Sequence, residues 1–347
     1  MDSEQNILKS ICDGYIIAEI GKNHNGDVEI AKRMIKAAAE CGVDAVKFQS
    51  LQAEKLVIQE MEKVAHLEGT IGEQSVFEMI KSVELSREDH FALAEVAGNE
   101  GVEFISTPED LDMVDLLEDV GVKFYKIASL DLTFIPLIEK VAKTGKPLVV
   151  STGMATLGEI DEVLALINRC NNNQVVLLHC VSSYPPPVEE SGLNAIPYLE
   201  SVFGIPIGYS DHSMGVWIPV AAAALGAVLI EKHFTLDKNM QGPDHRISAD
   251  PTELKLLVEG VREVRKALGL KNKRLAPSEL EMRKNVRRKM VASRNVSKGA
   301  CIEKDMIEFK SSAVGLEPKY YETLIGCVLQ QDMQKDQVFN WNAVSSK

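Results

Sequence analysis

"YIIAEIGKNHNGD" (residues 15–27) sets an apolar, strand-like run directly against a string of short amides, glycines and an imidazole. A doubly wound α/β sheet usually places a glycine-rich turn, G-x-G-x-x-G, after this first strand. Here the turn is "GKNHNGD" (21–27), polar and without that pattern. Seven more such runs follow: "AVKFQ" (45–49), "VEFIST" (102–107), "FYKIAS" (124–129), "PLVVST" (147–152), "VVLLHC" (175–180), "IPIGYS" (205–210) and "VLIEKHF" (228–234). Helix-like segments lie between them, for example 27–42 and 157–170. The last, 251–269, runs from Pro251 to Gly269, the punctuation helices favour. Eight strands, each followed by a helix, within about 250 residues is the tally of an α/β protein of the (β/α)8 TIM-barrel type.

The barrel is assigned to 1–270. The basic, polar stretch 271–289 reads as a linker or surface helix, and 290–347 as a small β-rich domain. Within that domain "NVSKGACI" (295–302) resembles "DMQKDQVF" (332–339), 37 residues later. Two related halves, or chance at so short a length, would each produce this echo.

The C-terminal ends of the strands carry polar groups: Glu19 with Asn23 and His24; Lys47 with Gln49; Ser106 and Thr107; Lys126 with Ser129. Then come Ser151 and Thr152; His179 and Cys180; Ser210, Asp211 and His212; and Glu231 with His233. In a barrel these ends form one mouth, where active sites are built, and Asn23 to Asp27 are expected to form its first wall. Five histidines (His24, His179, His212, His233, His245) fall on the mouth side, whereas His66 and His90 sit in polar segments and read as exposed and inert. A lone histidine at a strand end is commonly a hydrogen-bonding group. His212 and His233, however, end neighbouring strands, about 4.8 Å apart, and could share one ion. Two imidazoles with carboxylate and water suit Mn²⁺, Fe²⁺, Co²⁺ or Zn²⁺ better than Ca²⁺. Lys47 and Lys126 lie inside apolar strands, where an unpaired charge is costly. They meet an anion in the mouth, form a Schiff base, or pair with Glu19 or Glu231.

Composition narrows the function classes. The formal net charge of −13 argues against nucleic acid as the main partner. Six scattered cysteines without a C-x-x-C pair fit reduced thiols in a cytoplasmic setting. No run approaches the roughly 18 apolar residues that span a bilayer, and the first ten residues lack the regions of a signal peptide.

Taken as strings, "IIAEIGKNHNGD", "VKFQS", "FISTP", "YKIAS", "STGM", "LLHCVSSYP", "GYSDHSMG", "EKHFTLDK" and "GPDHRIS" resemble the sialic acid (N-acetylneuraminate) synthase family, with its legionaminate and pseudaminate relatives. "VASRNVSKGACIEKDMIEFK" resembles that family's C-terminal antifreeze-like (SAF) domain. The likeness runs from about residue 14 to 341. It implies condensation of phosphoenolpyruvate with an open-chain N-acetylhexosamine, giving a nine-carbon 2-keto-3-deoxy acid and phosphate. By motif, His212 and His233 would bind a divalent metal, usually Mn²⁺, with Mg²⁺ or Co²⁺ as alternatives. Lys47, Thr107, Lys126, Ser129, Ser151 and Ser210 would hold phosphoenolpyruvate, and Glu19 would orient or deprotonate water. Gln49, Tyr184 and Asp244 would line the sugar side, with Ser182 and Asp131 among the substrate contacts. The resemblance also implies a homodimer in which each antifreeze-like domain caps the partner's barrel.

Three positions depart from the family pattern. Many members carry glutamate where Asp131 stands and phenylalanine where Glu109 stands. Bacterial members often place an arginine opposite Ser311, a contact that is absent here or supplied by Lys310. "EKHFTLDKNMQGPDH" looks closer to the sialate and legionaminate branches than to the pseudaminate branch. The rival readings are a Schiff-base pyruvate aldolase using Lys126 or Lys47, and a non-catalytic carbohydrate- or anion-binding protein.

Overall fold

The computed structural model describes residues 9–63, 70, 72–269 and 272–345. Between Gly269 and Leu270 the chain divides into two compact units. His66 lies outside the described residues.

The first unit is a parallel, nearly closed barrel. Its strands are β1 (Tyr15–Gly21), β2 (Ala45–Ser50), β3 (Glu103–Pro108), β4 (Tyr125–Ile127), β5 (Leu148–Ser151), β6 (Val175–Cys180), β7 (Ile207–Asp211) and β8 (Leu229–His233). They pair in the order β3-β2-β1-β8-β7-β6-β5-β4, so β3 and β4 are the two ends of the ladder and meet side by side. At least one helix follows every strand. Caps fix several of them: the Asp27 side chain accepts from Glu29 N and Ile30 N at the start of helix Val28–Cys41. Reciprocal capping boxes open helices Leu157–Arg169 (Thr156 with Glu159) and Pro251–Leu268 (Asp250 with Glu253).

The strand period of two sorts the side chains into two layers. Ile16, Ala18, Val46, Phe48, Tyr125, Val150, Leu177, Tyr209 and Ile230 face outward and join the apolar faces of the helices in the main core. Tyr15, Ile17, Ala45, Ile105, Phe124, Val149, Val176, Leu178 and Leu229 form a separate buried cluster inside the ring. One step further along each strand the same inward face changes character, to Glu19, Lys47, Thr107, Lys126, Ser151, Cys180, Ser210 and Glu231. The apolar plug thus closes the barrel floor, and the polar layer rests directly on it.

The second unit contains the exposed helix Leu280–Val286 and two antiparallel pairs. One pairs β9 (Arg288–Ala292) with β10 (Ile307–Ser311), the other β11 (Val328–Leu329) with β12 (Val344–Ser345). The echo in its sequence corresponds to a real internal two-fold relation. Val296 and Met333 exchange both backbone hydrogen bonds, each at 2.8 Å. Asn295 Oδ1 accepts from Lys335 N at 2.8 Å, and Asp332 Oδ1 accepts from Lys298 N at 2.7 Å. Further bonds obey the same exchange, Ile302 N to Cys327 O matching Phe339 N to Met290 O. Chance similarity does not place matched residues in reciprocal contact.

Gly208 marks the tightest point of the barrel floor. A Cβ there would lie 2.5 Å from Leu178 Cδ2 and 2.7 Å from the Leu229 carbonyl oxygen. Gly208→Ala is expected to destabilise the barrel by about 1–3 kcal/mol, the usual cost of overpacking, as a lower urea midpoint for the barrel's unfolding transition.

Candidate functional site

The polar layer floors a cavity of about 800 Å³. At its base four charged side chains from four strands alternate in sign. Lys47 Nζ lies 2.8 Å from Glu19 Oε2 and 3.9 Å from Glu231 Oε2, and Lys126 Nζ lies 3.5 Å from Glu231 Oε1. Hydroxyls and amides complete the array. Lys47 donates to Thr107 Oγ1 (3.2 Å) and Lys126 to Ser151 Oγ (2.7 Å). Ser210 donates to Glu231 Oε1 (2.9 Å), and Gln49 to Glu19 Oε1 (2.9 Å). All four charged groups are buried.

Their protonation follows from burial set against neighbours. Burial is the largest influence on Glu19 and pushes its carboxyl up to about 7, with Lys47 pulling against it. Burial also works to raise Glu231, but Lys126 and Lys47 outweigh it and hold that carboxylate below its usual range. For Lys47, burial is outweighed by Glu19 and Glu231, so its pKa rises. For Lys126 burial wins and the pKa falls, despite Glu231.

Two imidazoles stand beside this array. His212 and His233 have ring centroids 5.5 Å apart, and the Tyr184 ring sits 4.2 Å from that of His212. His212 Nδ1 donates to the Val181 carbonyl oxygen at 2.8 Å, which leaves Nε2 as the lone-pair side. His233 Nδ1 is buried without a hydrogen-bond partner. Burial lowers both pKa values, that of His233 strongly, so both rings are neutral donors at pH 7. Among the described residues no three His, Cys, Asp or Glu side chains converge as a ready cage. The pair therefore suits an ion that completes its shell with water or substrate oxygens.

Of the residues singled out by sequence, Glu19, Lys47, Gln49, Lys126, Ser129, Ser151, Ser182, Tyr184, Ser210, His212, His233 and Asp244 all line the cavity. Thr107 and Asp131 do not; they are buried just behind the lining. Lys22 and Gly153 went unnoticed in the sequence. Lys22 Nζ donates to Gln49 Oε1 at 2.6 Å. A Cβ on Gly153 would meet Ser182 Oγ at 2.3 Å, and Cys180 Sγ and Ser129 Oγ at 2.8 Å each. Only glycine fits among those three side chains. Glu231 was legible as an ion-pair partner, but the structure makes it a hub between both lysines.

Several expectations need correction. Asn23 to Asp27 form a fastener rather than a wall of the mouth, and only Lys22 of the "GKNHNGD" string lines the cavity. Asn23 Nδ2 donates to Phe234 O and Ser248 Oγ, both at 2.8 Å, Asn25 Nδ2 donates to Gln241 O, and His24 Nδ1 accepts from Gly26 N. Gly26 has φ +76°, and a Cβ there would lie 2.1 Å from the Ser82 carbonyl oxygen, so the turn requires glycine. His245 bridges Thr235 Oγ1 (2.7 Å) and Asn25 Oδ1 (3.2 Å). His179 and Asp211 fall on the outward parity of their strands. His179 Nε2 donates to Ser191 O, and Asp211 pairs with buried Lys232 at 2.6 Å. His90 is not exposed: it is buried, linking Ser86 O to a Ser50–Ser106 hydroxyl pair.

Comparison with known proteins bears on this geometry. Residues 34–273 match the NeuB family model, and residues 287–345 match the SAF domain. The chain is 47% identical to an uncharacterized protein of Methanocaldococcus jannaschii, over 94% of each chain. It is 40% identical to the N,N'-diacetyllegionaminic acid synthase of Campylobacter jejuni, over 93% of this chain and 98% of that one. In structure it resembles the N-acetylneuraminic acid synthetase of Leptospira borgpetersenii crystallised with citrate. The TM-score is 0.70 with 36% identity, over 78% of this chain and 90% of that one.

Asp131 gives the site a stability signature. Burial, then the Glu109 charge, raises its carboxyl to about 7, with Lys126 opposing. The folded state thus holds this proton more tightly than the unfolded chain. The stability it contributes is complete below the unfolded value and is lost as pH rises towards about 7. Asp131→Asn is expected to raise Tm relative to the parent protein at pH 8, the difference shrinking as pH falls towards the ordinary value of 3.8, by paired thermal melts.

Proposed function

The chain belongs to the NeuB family, and from that premise we propose that it condenses phosphoenolpyruvate with an open-chain N-acetylhexosamine and water. The products are a nine-carbon 2-keto-3-deoxy acid and phosphate. The observation that carries this reading is the buried array of Glu19, Lys47, Glu231 and Lys126, flanked by hydroxyls on one side and two neutral imidazoles on the other.

Lys47 and Lys126, with Thr107, Ser129, Ser151 and Ser210, receive the carboxylate and phosphate oxygens of phosphoenolpyruvate. Charged donors in a water-poor site bind such oxygens strongly. Gln49, Tyr184, Asp244 and Ser182 line the sugar side, with Asp131 behind them, and orient the aldehyde. His212 and His233 would hold a divalent ion, Mn²⁺ first among the candidates, which when bound polarises the aldehyde oxygen as a Lewis acid. C3 of phosphoenolpyruvate bonds to the aldehyde carbon, whose oxygen takes a proton, and C2 becomes cationic. Water adds at C2 as Glu19 accepts its proton. A carboxylate that titrates near neutrality suits that role. Collapse of the tetrahedral centre then breaks its C–O bond to phosphate and leaves the ketone.

Phosphate release should require phosphoenolpyruvate, a 2-acetamido or 2,4-diacetamido hexose and a divalent ion together. Release undiminished by exhaustive chelation would contradict the metal assignment. Borohydride trapping of pyruvate on Lys126 would favour the aldolase reading instead. Glu19→Gln is expected to lower kcat by about 10²–10⁴-fold, the range for a lost general base, with phosphoenolpyruvate affinity far less affected.

A further inference from the structure

The seam of the barrel, where β3 and β4 end the ladder, carries two buried carboxyl groups that the reaction above leaves without a full set of partners. Glu109 follows β3, with its backbone N–H donating to Ser50 O at 2.9 Å. Asp131 closes the turn after β4, with its N–H donating to Ala128 O at 3.1 Å. Their side chains are only 5% and 4% exposed, and Glu109 lines the cavity. Neither Glu109 Oε2 nor Asp131 Oδ2 has a hydrogen-bond partner.

Lys22 and Lys47 act on Glu109 through their charge, but neither reaches its Oε2 with a hydrogen bond: Lys47 is paired with Glu19, and Lys22 donates to Gln49. A buried acceptor left unfilled is costly, so this wall calls for a ligand that brings hydrogen-bond donors. Phosphoenolpyruvate brings only acceptors and negative charge. The donors must come from the second substrate.

We infer that Glu109 is a specificity-determining residue: its Oε2 accepts a hydrogen bond from an O–H or N–H of the sugar, and its carboxylate, with Asp131 buried behind it, turns away a sugar that carries a phosphate. This inference rests on the proposed condensation but concerns only which hexosamine is admitted. Sites built to receive a substrate's donor discriminate steeply against analogues that do not fill it. A phosphate beside an ionised Glu109 would set like charges together in a site of low dielectric.

The test compares N-acetylmannosamine with its 6-phosphate on the full-length protein and its variants. Calorimetric Kd for each sugar is measured alongside KM from phosphate release. The parent protein should bind the neutral sugar more tightly. Glu109→Leu should weaken neutral-sugar binding about 10- to 100-fold, the span of a lost hydrogen bond to a charged acceptor, with phosphoenolpyruvate Kd unmoved. Glu109→Gln keeps the shape and removes the charge, so it should narrow the preference for the neutral sugar over its phosphate. It decides the matter if the leucine variant does not fold. An unchanged sugar preference in Glu109→Gln, neutral-sugar Kd within twofold of the parent in Glu109→Leu, or failure of the parent to bind either N-acetylmannosamine or a neutral 2,4-diacetamido hexose would each overturn the inference. Sugar binding with the expected variant effects but without phosphate release would support the wall while overturning the condensation.

Discussion

Everything in the barrel is subordinate to keeping two ammonium groups and two carboxylates buried side by side. Isolated, each would be too costly to bury. Alternating in sign, Glu19, Lys47, Glu231 and Lys126 compensate one another's charge, and Thr107, Ser151, Ser210 and Gln49 fill part of the hydrogen-bonding capacity, while Glu19 Oε2 and Glu231 Oε2 keep no hydrogen-bond partner. The array needs β1, β2, β4 and β8 to bring these four side chains together, in a register that sets Glu19 beside Lys47 and His233 and sets Glu231 beside Ile17 and Ser210. That explains the continuous apolar plug beneath it and a glycine at 208, where no side chain fits. Removing one member would strand a charge, so the array is rigid by necessity. A rigid, charged, water-poor floor is also what acts on developing charge without reorganising.

The same constraint explains what was legible in the sequence. All eight strands stand out because parallel strands buried on both faces read as apolar runs, and their polar ends locate the mouth. Depth and direction were harder to read. His179 and His212 look alike as strand-end histidines, yet strand parity turns His179 outward to Ser191 and brings His212 inward to His233. Counting alternate residues from the apolar plug would have separated them. Lys22 gave no such signal, since it reaches the cavity from a loop whose path depends on Asn23 holding Phe234 and Ser248. Gly153 could not be read either, because its value lies in the three side chains that crowd it.

The small unit shows a different economy of sequence. Only β9 and β10 run to five residues, β11 and β12 having two each, and much of its order comes from duplicated contacts: Asn295 and Asp332 each tie down the other half's turn. Eight residues of weak similarity were enough to point to this arrangement, although pattern alone left chance as a rival. Lys310 and Ser311 are both surface-placed, with Lys310 paired to Asp336 and Glu308 and Ser311 Oγ donating to the Val286 carbonyl.

The central claim is that the lysine–carboxylate floor activates C2 of an enol phosphate for attack by water, so that phosphate departs with its bridging oxygen. Turnover in H₂¹⁸O followed by mass analysis of the released phosphate tests this directly. Phosphate free of solvent ¹⁸O is the predicted result. One solvent oxygen per phosphate would mean cleavage at phosphorus and would contradict the account.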